Sequence, residues 1–300
     1  MKISLCLPYM ERDFKRKEIK AWCEAVDKGP FHAISCGERI TDYTLEMRNM
    51  LAFAAACTER VRLVPSLYVL PMHNAVWAAK EIATLDVLSE GRVTLTVGVG
   101  GREADYKAVG AEFAKRHARM DEQVSIMRSI WAGEPPFEGA ELLGAGEVGP
   151  KPVQTHIPIL AGVMGEKPMA RAAKWADGVY AFAMGGDVGL TEYFKQLAEA
   201  KWQTAGRENP PYFAGGFWYS LADNSEQILK EYVFHYLRTF GDAHAKSTAD
   251  TMTRFNEVSM FEAIQGIQNT GCEEIYLVPA SASIDEVTRL ESLLVKKGLV

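Results

Sequence analysis

Cysteine is scarce in this sequence, and its spacing argues against a disulfide framework or a zinc site. The chain has 300 residues and five cysteines, Cys6, Cys23, Cys36, Cys57 and Cys272. They are widely spaced, odd in number and mostly in apolar runs, a pattern typical of reduced, buried thiols in a cytosolic protein. No Cys-x-x-Cys pair or paired-histidine spacing occurs, so we expect no metal site.

The chain also lacks long apolar runs and clusters of basic residues. No segment approaches the roughly 20 apolar residues that a membrane span needs. Residues 1–8 hold no apolar segment of secretion length and meet a charged stretch at once. Lysine and arginine are scattered and the formal net charge is -6, so we expect no nucleic-acid partner. These absences favour a cytoplasmic enzyme that acts on a small molecule.

What the chain does have is a regular alternation of strand and helix patterns. Apolar strands are predicted over residues 2–7, 31–36, 62–70, 93–97, 157–161, 178–183, 212–221 and 274–278. Helices are predicted over residues 15–28, 45–58, 75–88, 113–132, 166–175, 190–205, 225–240, 255–269 and 284–297. An extra helical turn is predicted at 104–109.

Two stretches break this alternation. Residues 133–156, after strand four, are rich in glycine and proline and predict an inserted loop or hairpin. Residues 241–254, after strand seven, are polar and predict a mobile insertion. Eight strand-helix units with two insertions fit an α/β fold, a (β/α)8 TIM barrel formed by a single domain over residues 1–300. An open doubly wound sheet is the alternative, and it usually has fewer strands.

Active sites of such barrels lie at the carboxyl ends of the strands, so the residues after each strand are the candidates. Two loops could hold a ligand through the backbone. Glycines after strand four permit positive φ and close approach of a ligand, at Gly98, Gly100 and Gly101, with Arg102 following. The loop after strand five leads into a helix N-terminus, where a phosphate can bind, and it contains Ala161, Gly162, Val163, Met164, Gly165 and Lys167. An ordinary turn is the alternative for each loop.

Few acid-base groups follow the strands. Glu38 and Arg39 follow strand two and are candidates for binding a substrate, although a solvated ion pair is at least as frequent. His73 follows strand three and Glu103 follows strand four, and both are candidate proton donors, with a structural histidine as the more frequent alternative. No nucleophile elbow, P-loop or dinucleotide fingerprint occurs. These features indicate a cofactor that carries the chemistry itself.

Several stretches of this sequence resemble the luciferase-like flavin and deazaflavin oxidoreductases. The most specific is AKEIATLDVLSEGR at 79–92, followed by VGVG at 97–100. Further matches are ERVRL at 59–63, PKPVQ at 150–154 and AAKWADG at 172–178, so the resemblance covers most of the chain. It implies a barrel that binds FMN or the deazaflavin coenzyme F420, and a homodimer.

The resemblance also implies roles for individual residues. A non-proline cis peptide beneath the flavin ring would fall near Leu67 and Tyr68, and the Gly98 loop would lie along the cofactor. Glu103 matches an acid that donates a proton in some deazaflavin enzymes, and the loop from Gly162 to Gly165 matches the phosphate loop.

The sequence departs from the family pattern at two places. The family often has Gly-Gly-Ser/Thr in the phosphate loop, whereas this chain has Val163 and Met164 after Gly162. We expect Arg102 or Lys167 to replace the missing hydroxyl contact; a weakly bound cofactor is the alternative. Some members carry an Asp-His pair where this chain has Glu38 and Arg39, so a histidine role there is not supported.

The sequence therefore predicts a luciferase-like oxidoreductase that uses FMN or F420 to oxidise, reduce or monooxygenate a small organic substrate. Hydride transfer with F420, without oxygen chemistry, is one alternative. A non-catalytic barrel that only binds a ligand is another, and the altered phosphate loop favours it.

Overall fold

The computed structural model describes residues 1–137, 139 and 147–300. Its centre is a closed barrel of eight strands in chain order, all parallel, with β1 paired to β8. The strands are β1 (Lys2–Cys6), β2 (Ala33–Cys36), β3 (Arg62–Tyr68), β4 (Leu95–Val97), β5 (Ile159–Gly162), β6 (Gly178–Phe182), β7 (Tyr212–Tyr219) and β8 (Glu274–Pro279). The predicted (β/α)8 barrel is confirmed, because closure leaves no edge strand for an open sheet.

Helices surround the barrel and connect its strands. They are α1 (Arg16–Lys28), α2 (Met47–Cys57), α3 (Ala75–Leu88), α4 (Glu103–Ala108), α5 (Arg116–Ala132), α6 (Glu166–Ala172), α7 (Val188–Thr204), α8 (Ser225–Leu237), α9 (Asp242–Asp250), α10 (Glu257–Asn269) and α11 (Asp285–Lys296). Short 3-10 helices span Leu70–Met72 and Arg238–Phe240. Most predicted ends are within three residues of these bounds, and α3 matches its prediction at both ends.

Side chains alternate between the barrel interior and the helix layer, as the two-residue period of a strand requires. One buried cluster fills the interior and draws a residue from most strands: Ala33, Val64, Leu160, Tyr180, Ala214 and Tyr276. The larger cluster lies between strands and helices, where Leu63, Val97 and Ile159 pack outward. The interior is therefore a packed core, and space for a ligand is left only at its ends.

The most recognisable stretch of the sequence, residues 79–92, is scaffold. Asn74 begins α3 by accepting hydrogen bonds from the N–H groups of Val76 and Trp77 at 2.9 and 3.2 Å. Asp86 is fully buried on α3 and accepts from the backbone N–H and side-chain amide of Gln154. Arg92 donates to the carbonyls of Thr58 and Val61, which ties the end of α2 to β3. Asp86 and Arg92 therefore contact segments that precede β5 and β3, on the amino side of the barrel and away from the carboxyl ends of the strands.

The two insertions have different outcomes. In the first insertion, 133–156, the described residues contain no helix beyond the end of α5 and no strand, while residues 138 and 140–146 of the predicted loop or hairpin lie outside the described part. After strand seven, the predicted insertion at 241–254 contains a helix that was not predicted, α9 at Asp242–Asp250, and its mobility stays a prediction. Ala245 and Ala249, one turn apart, are buried against Leu229, Val233 and Leu237 of α8. Two small apolar residues among polar ones are a weak helix signal in sequence, and packing on α8 supplies the stabilisation.

Candidate active site

A cavity of about 460 Å³ opens at the carboxyl ends of the strands. This volume lies in the range typical of small-molecule sites. Its wall has two parts. The strand-end floor consists of Leu67, Gly100, Gly101, Gly162 and Val163, which follow or end β3, β4 and β5. The helical cover consists of Tyr232, Tyr236, Leu237 and Phe240, from α8 and the 3-10 helix after it.

Leu67 forms the middle of the strand-end floor. The peptide bond between Ser66 and Leu67 is cis, one residue before the expected position at Leu67 and Tyr68, and the pairing of β3 with β4 shifts register there. A Cβ on Gly98 would lie 2.6 Å from Leu67 Cδ1, and one on Gly162 would lie 3.0 Å from that atom and still nearer to Cδ2. Both glycines are therefore required by the side chain of Leu67, which fills the space above them.

Tyr68 points away from the cavity, although the sequence analysis expected it beside the cofactor. Its side chain is 1% exposed, and its hydroxyl donates to Glu81 Oε2 on α3 at 2.6 Å. Glu81 in turn accepts from Arg48 on α2. Adjacent residues of a strand face opposite sides, so a cavity-facing Leu67 leaves Tyr68 in the helix layer.

The loop after β4 lies along the cavity as predicted from its glycines. Gly100 has φ +59°, a conformation that favours glycine, and a Cβ there would lie 2.9 Å from Val69 Cγ1. The loop is held by Tyr106, whose hydroxyl donates to the carbonyl of Val99 at 2.6 Å. Val99, Gly100, Gly101 and Arg102 all line the cavity.

The two predicted proton donors lie outside the cavity lining. Glu103 begins α4 with a side chain that is 57% exposed, and it pairs with Lys107 at 3.0 Å. Asp105, two residues later, does line the cavity, and its Oδ1 accepts from the backbone N–H of Thr41 at 2.8 Å. The structure therefore does not bring Glu103 to the site, because the phase of α4 directs it to solvent.

His73 sits behind Glu38. Its Nε2 lies 2.7 Å from Glu38 Oε1, while Glu38 Oε2 accepts from the backbone N–H of Val69 at 2.7 Å. The Glu38 side chain is 4% exposed and lines the cavity, whereas His73 packs against the edge of the Tyr68 ring. Glu38 thus fixes the end of β3 next to Leu67, and His73 reaches the cavity only through it.

Arg39, the other predicted substrate-binding residue, is buried beside the helical cover. Its Nη2 donates to Asp42 Oδ2 at 2.9 Å, and its guanidinium carbon lies 5.7 Å from the centre of the Tyr236 ring. Glu38 and Arg39 therefore have different surroundings. Glu38 accepts a hydrogen bond at the end of β3, and Arg39 packs against Tyr236 of α8.

The loop after β5 brings only part of its predicted residues to the cavity. Gly162, Val163 and Met164 line it, and the Met164 side chain is 54% exposed. Ala161 is buried in the sheet between β4 and β6, and Lys167 is exposed and does not line the cavity. Gly165 has φ +95° and open space beside it. Helix α6, which follows, has only seven residues, so the loop backbone is a better ligand candidate than the helix end.

Several lining residues were missed by the sequence analysis. His117 near the start of α5 lines the cavity, and burial, then Arg116 and Arg171, lower its pKa. An aromatic wall was also missed: Tyr9, Tyr180, Phe182, Trp218, Tyr232 and Tyr236. Burial raises the pKa of both Tyr9 and Tyr232 well above the ordinary value of a tyrosine, so their hydroxyls are neutral hydrogen-bond donors. The i, i+4 spacing of Tyr232 and Tyr236 predicts that they share one face of a helix. It does not predict that this face lies over the cavity.

Two searches of the described residues bear on other classes of protein. No described helix is both long enough and apolar enough to cross a membrane. Within the same residues, no group of three or more histidine, cysteine, aspartate or glutamate side chains could hold a metal ion.

Comparison with known proteins places this geometry in context. A family model described as luciferase-like monooxygenase matches residues 3–270. The Mycobacterium tuberculosis protein Rv0953c, described as uncharacterized, is 36% identical over 171 residues, which cover 56% of this chain and 60% of that protein. The putative coenzyme F420-dependent oxidoreductase Rv3520c of the same organism is 35% identical over 142 residues, 43% of this chain and 41% of its own length. The chain thus spans less than two thirds of either relative.

A solved structure matches over the whole chain. The monooxygenase RslO1 from Streptomyces bottropensis superposes with a TM-score of 0.78 at 23% identity, covering 100% of this chain and 99% of that one. At this identity the likeness concerns the fold alone. Two further structures of similar fold are an F420-dependent secondary alcohol dehydrogenase, with a TM-score of 0.79 at 17% identity over 98% of each chain, and a Type II Baeyer-Villiger monooxygenase in complex with FMN, with a TM-score of 0.72 at 17% identity over 98% of this chain and 96% of that one.

Proposed function

Because this chain belongs to the luciferase-like monooxygenase family, we propose that it is an oxidoreductase that uses FMN or coenzyme F420. It would oxidise, reduce or oxygenate a small organic substrate. The observation that carries the proposal is the continuity of the strand-end floor across β3, β4 and β5. Three of the five residues of this floor are glycines, and a surface with so few side chains suits a planar ring system.

The residues present fit such a cofactor. Leu67 covers Gly98 and Gly162, so the floor is apolar and smooth, and Gly100 brings backbone rather than side chain to the cavity. We propose that the ring lies against Leu67 and that Gly100 and Gly101 border it, with Gly98 beneath the Leu67 side chain. When bound, either cofactor would exchange a hydride with the substrate, and FMN would also permit oxygen chemistry.

We propose that the cofactor's phosphate lies along the loop from Gly162 to Gly165. Within this loop the Val163 N–H already donates to the Tyr180 carbonyl at 3.2 Å, so Met164 and Gly165 would supply the backbone N–H groups, and no acidic side chain occurs before Glu166. His117 lines the same cavity and its lowered pKa keeps it neutral near pH 7, so it would donate a hydrogen bond without a full charge. Lys167 is too exposed to be the main contact.

Proton handling would fall to the pair of Glu38 and His73. Glu38 lines the cavity, and His73 can exchange a proton with it across 2.7 Å. Because both oxygens of Glu38 already accept hydrogen bonds, its first task is to hold the end of β3. Glu103 does not take this role, because its side chain is exposed to solvent and pairs with Lys107.

Titration of the purified chain with FMN and with F420, followed by fluorescence quenching, tests the proposal. We expect one of the two to bind with a dissociation constant in the micromolar range or below, about -8 kcal/mol or stronger. Binding of neither would leave a barrel without redox chemistry and would overturn the proposal. Oxygen consumption by the reduced complex then separates oxygenation from hydride transfer.

We also propose a homodimer. Its support is an exposed apolar surface on α3, where the side chains of Trp77 and Leu88 are 63% and 56% exposed. Large exposed apolar side chains grouped on one element often mark an interface. Sedimentation velocity at several concentrations tests this, and a monomer at all of them would contradict it.

A further inference from the structure

Two arginines meet beside the helical cover. Arg102 lines the cavity, and its Nη2 donates to the carbonyl oxygen of Tyr236. Its guanidinium carbon lies 5.0 Å from the centre of the Tyr236 ring and 5.4 Å from that of Phe240. Arg39 approaches the same Tyr236 ring at 5.7 Å. Burial, and then the positive charge of Arg39, lower the pKa of Arg102. Two positively charged guanidinium groups therefore lie against the same ring, that of Tyr236.

Neither guanidinium is fully hydrogen-bonded. Arg39 Nε and Nη1 and Arg102 Nη1 are buried and have no hydrogen-bond partner among the residues that the structure describes. The Arg39 side chain is only 5% exposed and lies behind the cavity wall, whereas Arg102 lines the cavity. Buried polar groups without partners are rare in proteins and call for an explanation. Planar guanidinium groups with free N–H donors match the oxygen atoms of a carboxylate or phosphate.

Carboxylates of the protein do not fill this role. Asp42 takes the Nη2 of Arg39 and is itself 54% exposed. Asp105 Oδ1 accepts from the backbone N–H and hydroxyl of Thr41, and Asp105 makes no hydrogen bond to either arginine among the described residues. Glu38 uses its two oxygens at the end of β3, as described above. The unfilled donors are thus left for a ligand.

Next to the arginines the cavity wall is aromatic. The Trp218 ring lies 4.9 Å from that of Tyr236 and 5.1 Å from that of Phe182, measured between ring centres. Tyr232 adds a third ring at 6.3 Å from Trp218. Such walls suit an apolar or aromatic body, oriented by a few polar groups at one end.

We propose that Arg102, with the charge of Arg39 behind it across the Tyr236 ring, binds a carboxylate of the substrate, so that the enzyme acts on small organic acids with an apolar or aromatic body. This inference rests on the proposed function and names the substrate class of the same site. The cofactor's own phosphate is the competing oxyanion, and the experiment separates the two.

Benzoate and its neutral counterpart benzamide serve as probes, because they share size and ring and differ in charge. Binding to the purified full chain is measured by isothermal titration calorimetry, with and without saturating cofactor. We expect benzoate to bind at least about tenfold more tightly than benzamide in one of these states, the value of one charge-assisted hydrogen bond. Equal affinities in both states would overturn the inference.

Variants assign the preference to the two arginines. Arg39→Gln and Arg102→Gln should each weaken benzoate binding at least about tenfold and leave benzamide and cofactor binding unchanged. Arg12→Gln is the matched control, because Arg12 is an exposed arginine stacked on Tyr43 at 4.8 Å, outside the cavity lining. Thermal denaturation checks folding. If a glutamine variant does not fold, Arg102→Lys keeps the charge without the planar fork and should show an intermediate loss.

The outcomes for the two proposals are distinguishable. If the arginine variants weaken FMN or F420 and not benzoate, the oxyanion belongs to the cofactor and the inference is overturned. If benzoate is preferred and lost in the variants while neither cofactor binds, the carboxylate site stands and the proposed redox function fails.

Discussion

The strand-end floor and the helical cover face each other across one cavity, yet they are built in different ways. The floor is made by backbone and by small or apolar residues, since Gly98 and Gly162 exist to accommodate Leu67. The cover is made by large side chains, with Tyr232, Tyr236 and Phe240 projecting from helices and Arg102 stacked on two of them. A surface formed by backbone can serve any substrate that uses the same cofactor. A surface formed by side chains changes with every substitution, so the cover is where one enzyme differs from its relatives.

Gly162→Ala tests whether the strand-end floor binds the cofactor, and it is expected to have the largest effect. The added Cβ would overlap Leu67, so the floor must move, at about 1–3 kcal/mol for overpacking. We expect cofactor binding to weaken by about tenfold or more, the equivalent of 1.4 kcal/mol. Cofactor titration by fluorescence quenching measures it.

Two further variants control this experiment. Leu67→Ala combined with Gly162→Ala removes the overlap and should recover part of the affinity. Gly189→Ala on α7, where a Cβ would meet only Asp187 Oδ1 at an ordinary 3.5 Å, should change nothing. If Gly162→Ala binds cofactor like the unaltered protein, the floor does not contact the ring.

Met164→Glu locates the phosphate. Met164 lines the cavity and is half-exposed, so a carboxylate fits there without displacing the core. We expect cofactor affinity to fall about tenfold through repulsion at a distance of roughly 4–6 Å in a partly solvated site. Met164→Gln, of the same shape without the charge, should bind normally. Equal losses in both variants would indicate a steric effect and place the phosphate elsewhere.

His117 offers a pH test of the same region. Burial and the neighbouring arginines lower its pKa, so the imidazole is neutral from about pH 7 to pH 8.5 and affinity for F420, whose phosphodiester does not titrate there, should be constant. His117→Ala should weaken binding by about fivefold, the value of a neutral hydrogen bond of about 1 kcal/mol. His117→Gln retains a donor and should lose less. Affinity that falls steeply between these pH values would mean that a charged imidazole holds the phosphate.

The smallest effect is expected in the cover. The Tyr232 hydroxyl donates to the sulfur of Met10 at 3.5 Å, a weak contact. Tyr232→Phe should therefore lower the free energy of unfolding by no more than about 1 kcal/mol and leave cofactor affinity unchanged. Urea denaturation measures the first quantity, with Tyr193→Phe on the half-exposed face of α7 as control. A large loss of cofactor affinity would show that cover and floor are not separate in function.

Periodicity predicted most of the fold. The strands are short apolar runs and the helices are longer periodic ones, so their order alone predicted the barrel, and barrel geometry then pointed to the loops after β3, β4 and β5. Helix α9 was missed because Ala245 and Ala249 are weak signals that gain stability only by packing on α8.

Within the candidate site, sequence predicted loops better than side chains. Leu67, Gly100, Gly162 and Arg102 line the cavity because a strand end or a glycine loop has few ways to lie at a barrel rim. Glu103 was expected there and is exposed, while His117 was not among the candidates and lines the wall. Both lie on helices, where one residue turns the side chain by about 100° and the helix's own placement decides what it faces.

The sequence by itself determined the order of the elements, the barrel and the glycine loops, because these depend on hydrophobic period and on backbone freedom, which are local properties. Only the tertiary structure decided that Tyr68 faces the helices, that Glu38 serves β3 through His73 and Val69, and that Arg39 and Arg102 meet over Tyr236. Those contacts join residues that are distant along the chain, and closing the barrel is what brings them together.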